Sequence, residues 1–92
     1  MDIEIINEVR QTLKILHNQK CIGGKHTPEK LLFKKLKNIH DKKLRKAIEK
    51  QWKELEECGY IIRMKKRTKK GMDFHVCLNP KTVFIIREMI RR

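Results

Sequence analysis

The chain has 92 residues, and its 24 Lys and Arg against 11 Asp and Glu give a formal charge of +13. That length suits one small domain with a modest core, expected to span residues 1–92. An apolar fraction of 39 %, rich in Ile, Leu and Val and clearly periodic, excludes wholesale disorder, while the excess of cations draws polyanions, nucleic acid first and an acidic membrane surface second.

The opening MDIEIINEVR is acidic and amphipathic, the wrong pattern for a secretory signal. Ile3, Ile6, Val9, Leu13 and Leu16 recur at spacings of three and four, which predicts a first helix over about residues 2–20, ended by Gly23-Gly24. In HTPEKLLFKKL, Thr27 is the expected N-cap, Pro28 the first helical residue and Glu29 an acid at the positive helix end. A second helix of about ten residues follows, burying Leu31, Leu32 and Leu36 with Phe33, then a short turn over residues 37–40.

Asp41 is the expected cap of a third helix running to about Cys58. Leu44, Ala47 or Ile48, Trp52 and Leu55 mark its inner face, and Gly59 stands where a C′ glycine belongs. Residues Tyr60–Met64 and Met72–Leu78 read as strands around a turn containing Thr68 to Gly71, with Phe74, Val76 and Leu78 alternating against His75 and Cys77. Asn79-Pro80 breaks the second strand, and residues 81–92 predict a last helix. The fold class is therefore mainly α with a small β-hairpin.

No apolar run approaches the ~18 residues of a membrane span, and a cytoplasmic location without membrane attachment is expected. Cys21, Cys58 and Cys77 are odd in number and widely spaced, so neither a disulfide framework nor a zinc motif is expected; Cys58 and Cys77 fit small packing sites. GGKHT falls short of a phosphate-binding P-loop, because Gln19 and His26 stand where Gly and Ser or Thr are needed. With no paired carboxylates, the sequence predicts no enzyme, no metal and no cofactor.

The charges are distributed unevenly. Lys42, Lys43, Arg45, Lys46 and Lys50 occupy the first half of the third helix, and Glu49, Glu54, Glu56 and Glu57 lie mostly in the second. This order opposes the helix dipole, at ~0.3–1 kcal/mol per misplaced charge. A helix tuned for stability alone would be reversed, so the cations suit a partner at its N-terminal end; a solvated face of a Lys-rich protein is the plainer reading. Six cations, Arg63, Lys65, Lys66, Arg67, Lys69 and Lys70, crowd the hairpin. One or two lysines suffice to protect an edge strand, so six favour phosphate.

The order of elements, with LRKAIEKQWKELEECGYIIRMKK leading from a basic helix into an apolar strand and MDFHVCLNP returning, resembles the winged helix-turn-helix superfamily over residues 3–80. The resemblance implies that the second and third helices form the helix-turn-helix, that helix 41–58 enters the major groove, and that the basic wing 63–75, including His75, meets phosphates or minor groove. One departure is that the short strand such folds carry after the first helix has only KCI to supply it.

Lys25 and Thr27 are candidates for a further phosphate, and Asn38, His40, Arg45 and Gln51 for base edges. Tyr60 and Phe74 read as core, which leaves no stacking platform for single strands and favours duplex DNA over RNA. The expected function is a double-stranded DNA-binding regulator or chromatin-like factor. The alternatives are an RNA-binding or ribosome-associated protein and an interaction module for an acidic partner. The apolar surplus of residues 81–92 (Phe84, Ile85 and Met89 beside Val83, Ile86 and Ile90) suggests a homodimer contact.

Overall fold

The computed structural model describes residues 4–34 and 41–91. In chain order these form α1 (Asn7–Asn18), β1 (Thr27–Pro28), α2 (Glu29–Phe33), α3 (Lys42–Glu57), β2 (Ile61–Thr68), β3 (Gly71–Leu78) and α4 (Val83–Arg91). The strands make an antiparallel sheet in the order β1-β3-β2. The architecture is α+β. The expected turn at 37–40, with Leu36, Asn38 and His40, lies outside the described residues.

Helix α1 starts five residues later than its apolar stripe suggests. Ile6 is extended and serves as N-cap, while Ile5 turns inward beside Val9, Leu13 and Leu16. Gln51 of α3 holds this entry segment: its Oε1 accepts from the Ile6 amide and its Nε2 donates to the Glu4 carbonyl, both at 2.9 Å. The buried Thr12 satisfies its hydroxyl by donating to the Glu8 carbonyl.

The helix does not run on to the glycine pair. The amides of Lys20 and Cys21 return to the carbonyls of His17 and Leu16, both at 3.0 Å, and Lys20 takes a φ of 57°. Helix α3 ends in the same way: the amides of Gly59 and Tyr60 return to Glu56 and Leu55, with Gly59 at φ 81°. These are matched Schellman ends, one built on glycine and one on lysine. Left-handed backbone costs a residue with a Cβ ~1–2 kcal/mol, part of which glycine returns through its freer unfolded chain. Lys20→Gly should therefore stabilise the protein by roughly 0.5–1 kcal/mol, read as a higher urea midpoint at unchanged slope.

Thr27 and Pro28 correct the expected cap. They are extended and pair with Val76 and His75, so Pro28 is the N-cap of α2 and no side chain among the described residues caps that helix. Residues 27–28 thus form a two-residue strand, and Ile22 makes an isolated parallel bridge to Leu78. Asp41, in contrast, caps α3 as expected, accepting from the amides of Lys43 and Leu44 at 2.9 and 3.4 Å.

Ile48, Trp52 and Leu55 of α3 are buried and Leu44 packs on them, while Ala47 is exposed. They join Val9, Leu13, Leu16, Tyr60, Ile61, Val76, Leu78, Ile86 and Met89 in one core. Cys77 is buried, as its expected packing role requires, because β3 is the central strand and the chain at Cys21–Gly23 covers its other side: Leu78 donates to Cys21 and accepts from Gly23. Burial pushes the Cys77 thiol up. Cys58, expected to fill a packing site, is exposed instead.

Helix α4 docks on α1 and the core through Ile86 and Met89, with Val83, Ile85 and Ile90 around them. Its start is tied to the end of α3, since Asn79 Nδ2 and Thr82 Oγ1 both donate to the Gly59 carbonyl. The expected outward apolar face shrinks to Phe84, which is 62 % exposed. No described helix is long and apolar enough to cross a membrane.

Candidate nucleic-acid interface

Strand β2 continues through the charge run instead of stopping at Met64. Eight residue pairs run from Ile61 opposite Leu78 to Thr68 opposite Gly71, leaving a two-residue turn, Lys69-Lys70. Gly71 takes φ 128° and absorbs the unusual backbone geometry of the turn, so both lysines keep ordinary negative φ. The last fully buried residues are Ile61 on β2 and Val76 on β3. At ~3.3 Å per residue the hairpin extends roughly 16 Å past Val76.

Lys65, Lys66, Arg67, Lys69 and Lys70 stand on this arm, exposed. Arg63 differs from them. Its Nε and a terminal nitrogen donate to the two carboxylate oxygens of Glu29 at 2.6 and 3.0 Å, and its other terminal nitrogen reaches Glu56 at 3.5 Å. The side chains of Arg63 and Glu29 are 22 % and 16 % exposed. The hydrogen bonds and charges of the two glutamates raise the Arg63 pKa further, against its partial desolvation. Arg63 therefore spends its charge joining β2 to α2 and α3, and is not part of the open basic arm.

His75 is also engaged. Its Nδ1 lies 2.9 Å from Nδ1 of His26, one ring donating and the other accepting, with the rings edge to face. Partial burial, then Lys66, then His75 itself hold His26 below the usual 6.5. Because the folded pKa is depressed, the unfolded chain takes up that proton first as pH falls. Stability should be level above about pH 6.5 and decline below it. His26→Gln should flatten this decline in chemical denaturation curves collected across pH.

On α3, Lys42, Lys43, Arg45, Lys46 and Lys50 are exposed, and none is in an ion pair among the described residues. Lys42, Lys46 and Lys50 follow one another at spacings of four, so they form one outward row whose like charges repel. Five acids are engaged elsewhere: Asp41 as a cap, Glu29 and Glu56 with Arg63, Asp73 with Lys30 at 3.1 Å, and Glu88 with Arg91 at 3.4 Å. Gln51, a candidate base reader, is committed to the entry of α1. Lys25 is exposed and Thr27 is half-buried in β1.

The chain matches no protein-family model, no curated protein and no solved structure.

Phe74 was expected in the core but is 43 % exposed, and its neighbour on the same face, Met72, is 54 % exposed. Helix α2 flanks both without burying them. The Arg63 guanidinium sits 4.3 Å from the Phe74 ring centre and the Lys65 ammonium 6.0 Å from it. Alternation in the sequence gives the correct face for Phe74 but cannot tell how far along the strand the cover extends.

Proposed function

We infer that the protein is a winged helix-turn-helix domain that binds double-stranded DNA, a binding protein and not an enzyme. The sheet order β1-β3-β2, with a short strand ahead of α2 and a hairpin directly after α3, supports that architecture. The observation that carries the function is the open row of Lys42, Lys46 and Lys50 on α3, without ion pairs among the described residues, on the helix that leads directly into the cationic hairpin. In this reading α3 lies in the major groove, with Arg45 as its base reader, and Lys65, Lys66, Arg67, Lys69 and Lys70 lie along phosphates. Lysines act as point charges without the fork geometry of arginine, so the reading implies modest sequence specificity.

A competition of matched duplex DNA, single-stranded DNA and structured RNA at one salt concentration tests it. Duplex DNA should compete best, with a log–log salt slope of roughly −4 to −7 per protein chain at ~0.9 per phosphate. A flat salt response would exclude polyanion binding. A second reading, binding of RNA, draws on the exposure of Phe74, and RNA winning the competition would establish it. Pairing of two copies through residues 81–92 belongs to the same reading, with Phe84 as its apolar contact. Light scattering that returns only a monomer would remove that part.

A further inference from the structure

Between α2 and the outer half of β3 lies a cleft of about 240 Å³ lined by Glu29, Lys30, Phe33, Met72, Asp73 and Phe74. Its walls are mostly apolar: the Phe33 and Phe74 rings and the Met72 thioether. Its two carboxylates are already neutralised, Glu29 by Arg63 and Asp73 by Lys30, so the cleft does not repel an anion. Directly across the hairpin from Phe74 and Met72 stand Lys65 and Arg67. A flat apolar wall thus faces a pocket whose rim is cationic.

We propose that this cleft receives a single unpaired nucleobase, stacked on Phe74, while the hairpin cations hold its flanking phosphates. The proposal rests on the nucleic-acid reading above and extends it from phosphates to a base. The chemistry selects this occupant. A nucleotide offers the π-face of its base to the Phe74 ring and the negative charge of its phosphate beside it, whereas an uncharged aliphatic ligand would leave Lys65 and Arg67 unused. Phe74 and Met72 stand side by side, 43 % and 54 % exposed, on an arm that is otherwise charged, and Arg63 lies 4.3 Å from the Phe74 ring centre. A duplex with an extrahelical base supplies both elements, the paired backbone for α3 and the freed ring for the cleft.

The chain's single tryptophan offers a built-in reporter. Phe33 lines the cleft and also meets Trp52 edge to face at 5.2 Å, so an occupant should alter Trp52 emission.

The test compares a duplex carrying one extrahelical 2-aminopurine with the same duplex fully paired, at one salt concentration, by anisotropy, 2-aminopurine emission and Trp52 emission. The bulged duplex should bind roughly tenfold tighter, the scale of one base stacked on an aromatic ring, and its 2-aminopurine emission should be quenched. Phe74→Ala and Phe74→Leu should both abolish that preference, and Phe74→Tyr should keep it. Phe74→Leu keeps an apolar side chain under Arg63, which separates loss of stacking from loss of fold.

Equal affinity of the native protein for the two duplexes would overturn the proposal. So would a preference that survives both Phe74→Ala and Phe74→Leu. Failure to bind either duplex would overturn the duplex-DNA reading on which the base site rests, and the base site with it.

Discussion

Replacing Lys42, Lys46 and Lys50 together with alanine should lower affinity for paired duplex DNA by roughly 10²–10³-fold at 0.1 M salt, where each phosphate contact is worth ~0.9 of a decade. The same variant should be more stable than the parent. Two like-charge pairs at spacing four disappear, each worth ~0.2–0.5 kcal/mol, and alanine is the better helix former. The opposed outcomes matter more than either alone. A merely solvated lysine face predicts the gain in stability with no change in binding. Calorimetry of the free protein and anisotropy with a labelled duplex would check the two halves.

The second large effect runs the other way. Arg63→Ala should destabilise the protein by about 2 kcal/mol, less than the ~3–5 of a fully buried pair because both side chains keep some water contact. It leaves Glu29 without its guanidinium and removes the cation over Phe74. For a domain of this size that is a fall in Tm of roughly 10 °C. Lys65→Ala, two residues along the same strand and face, should leave Tm unchanged and weaken DNA binding instead. An Arg63→Ala protein with unaltered Tm would return Arg63 to the phosphate-binding set.

These two residues show where the sequence is readable and where it is not. The third helix is legible at both ends because its signals are local: Asp41 caps through its own side chain, and Gly59 takes the left-handed position that glycine favours. The division of α3 into cationic and acidic halves is likewise local. Arg63 is different, since what separates it from Lys65 is Glu29, 34 residues away, brought close only when α2 packs on the sheet. Thr27-Pro28-Glu29 reads equally well as cap and first turn, and pairing with Val76 and His75 decides for a strand.

Burial along β3 was hidden for a related reason. Period-two alternation assigns faces, but cover is set by neighbours: a third strand and the Cys21–Gly23 segment bury Cys77, while among the described residues none covers Phe74 fully. That misassignment has a functional cost, because Phe74 in the core argues against base stacking and Phe74 on the surface argues for it. The Lys20 turn had no readable signal, since two glycines close by are the natural place to end a helix.

The most direct measurement is an amide chemical-shift titration of the labelled protein with a fully paired duplex at low salt. The account predicts shifts concentrated at residues 42–50 of α3 and 65–70 of the hairpin, fading as salt is raised. Shifts confined to α1 and α4, or none at either basic surface, would contradict it.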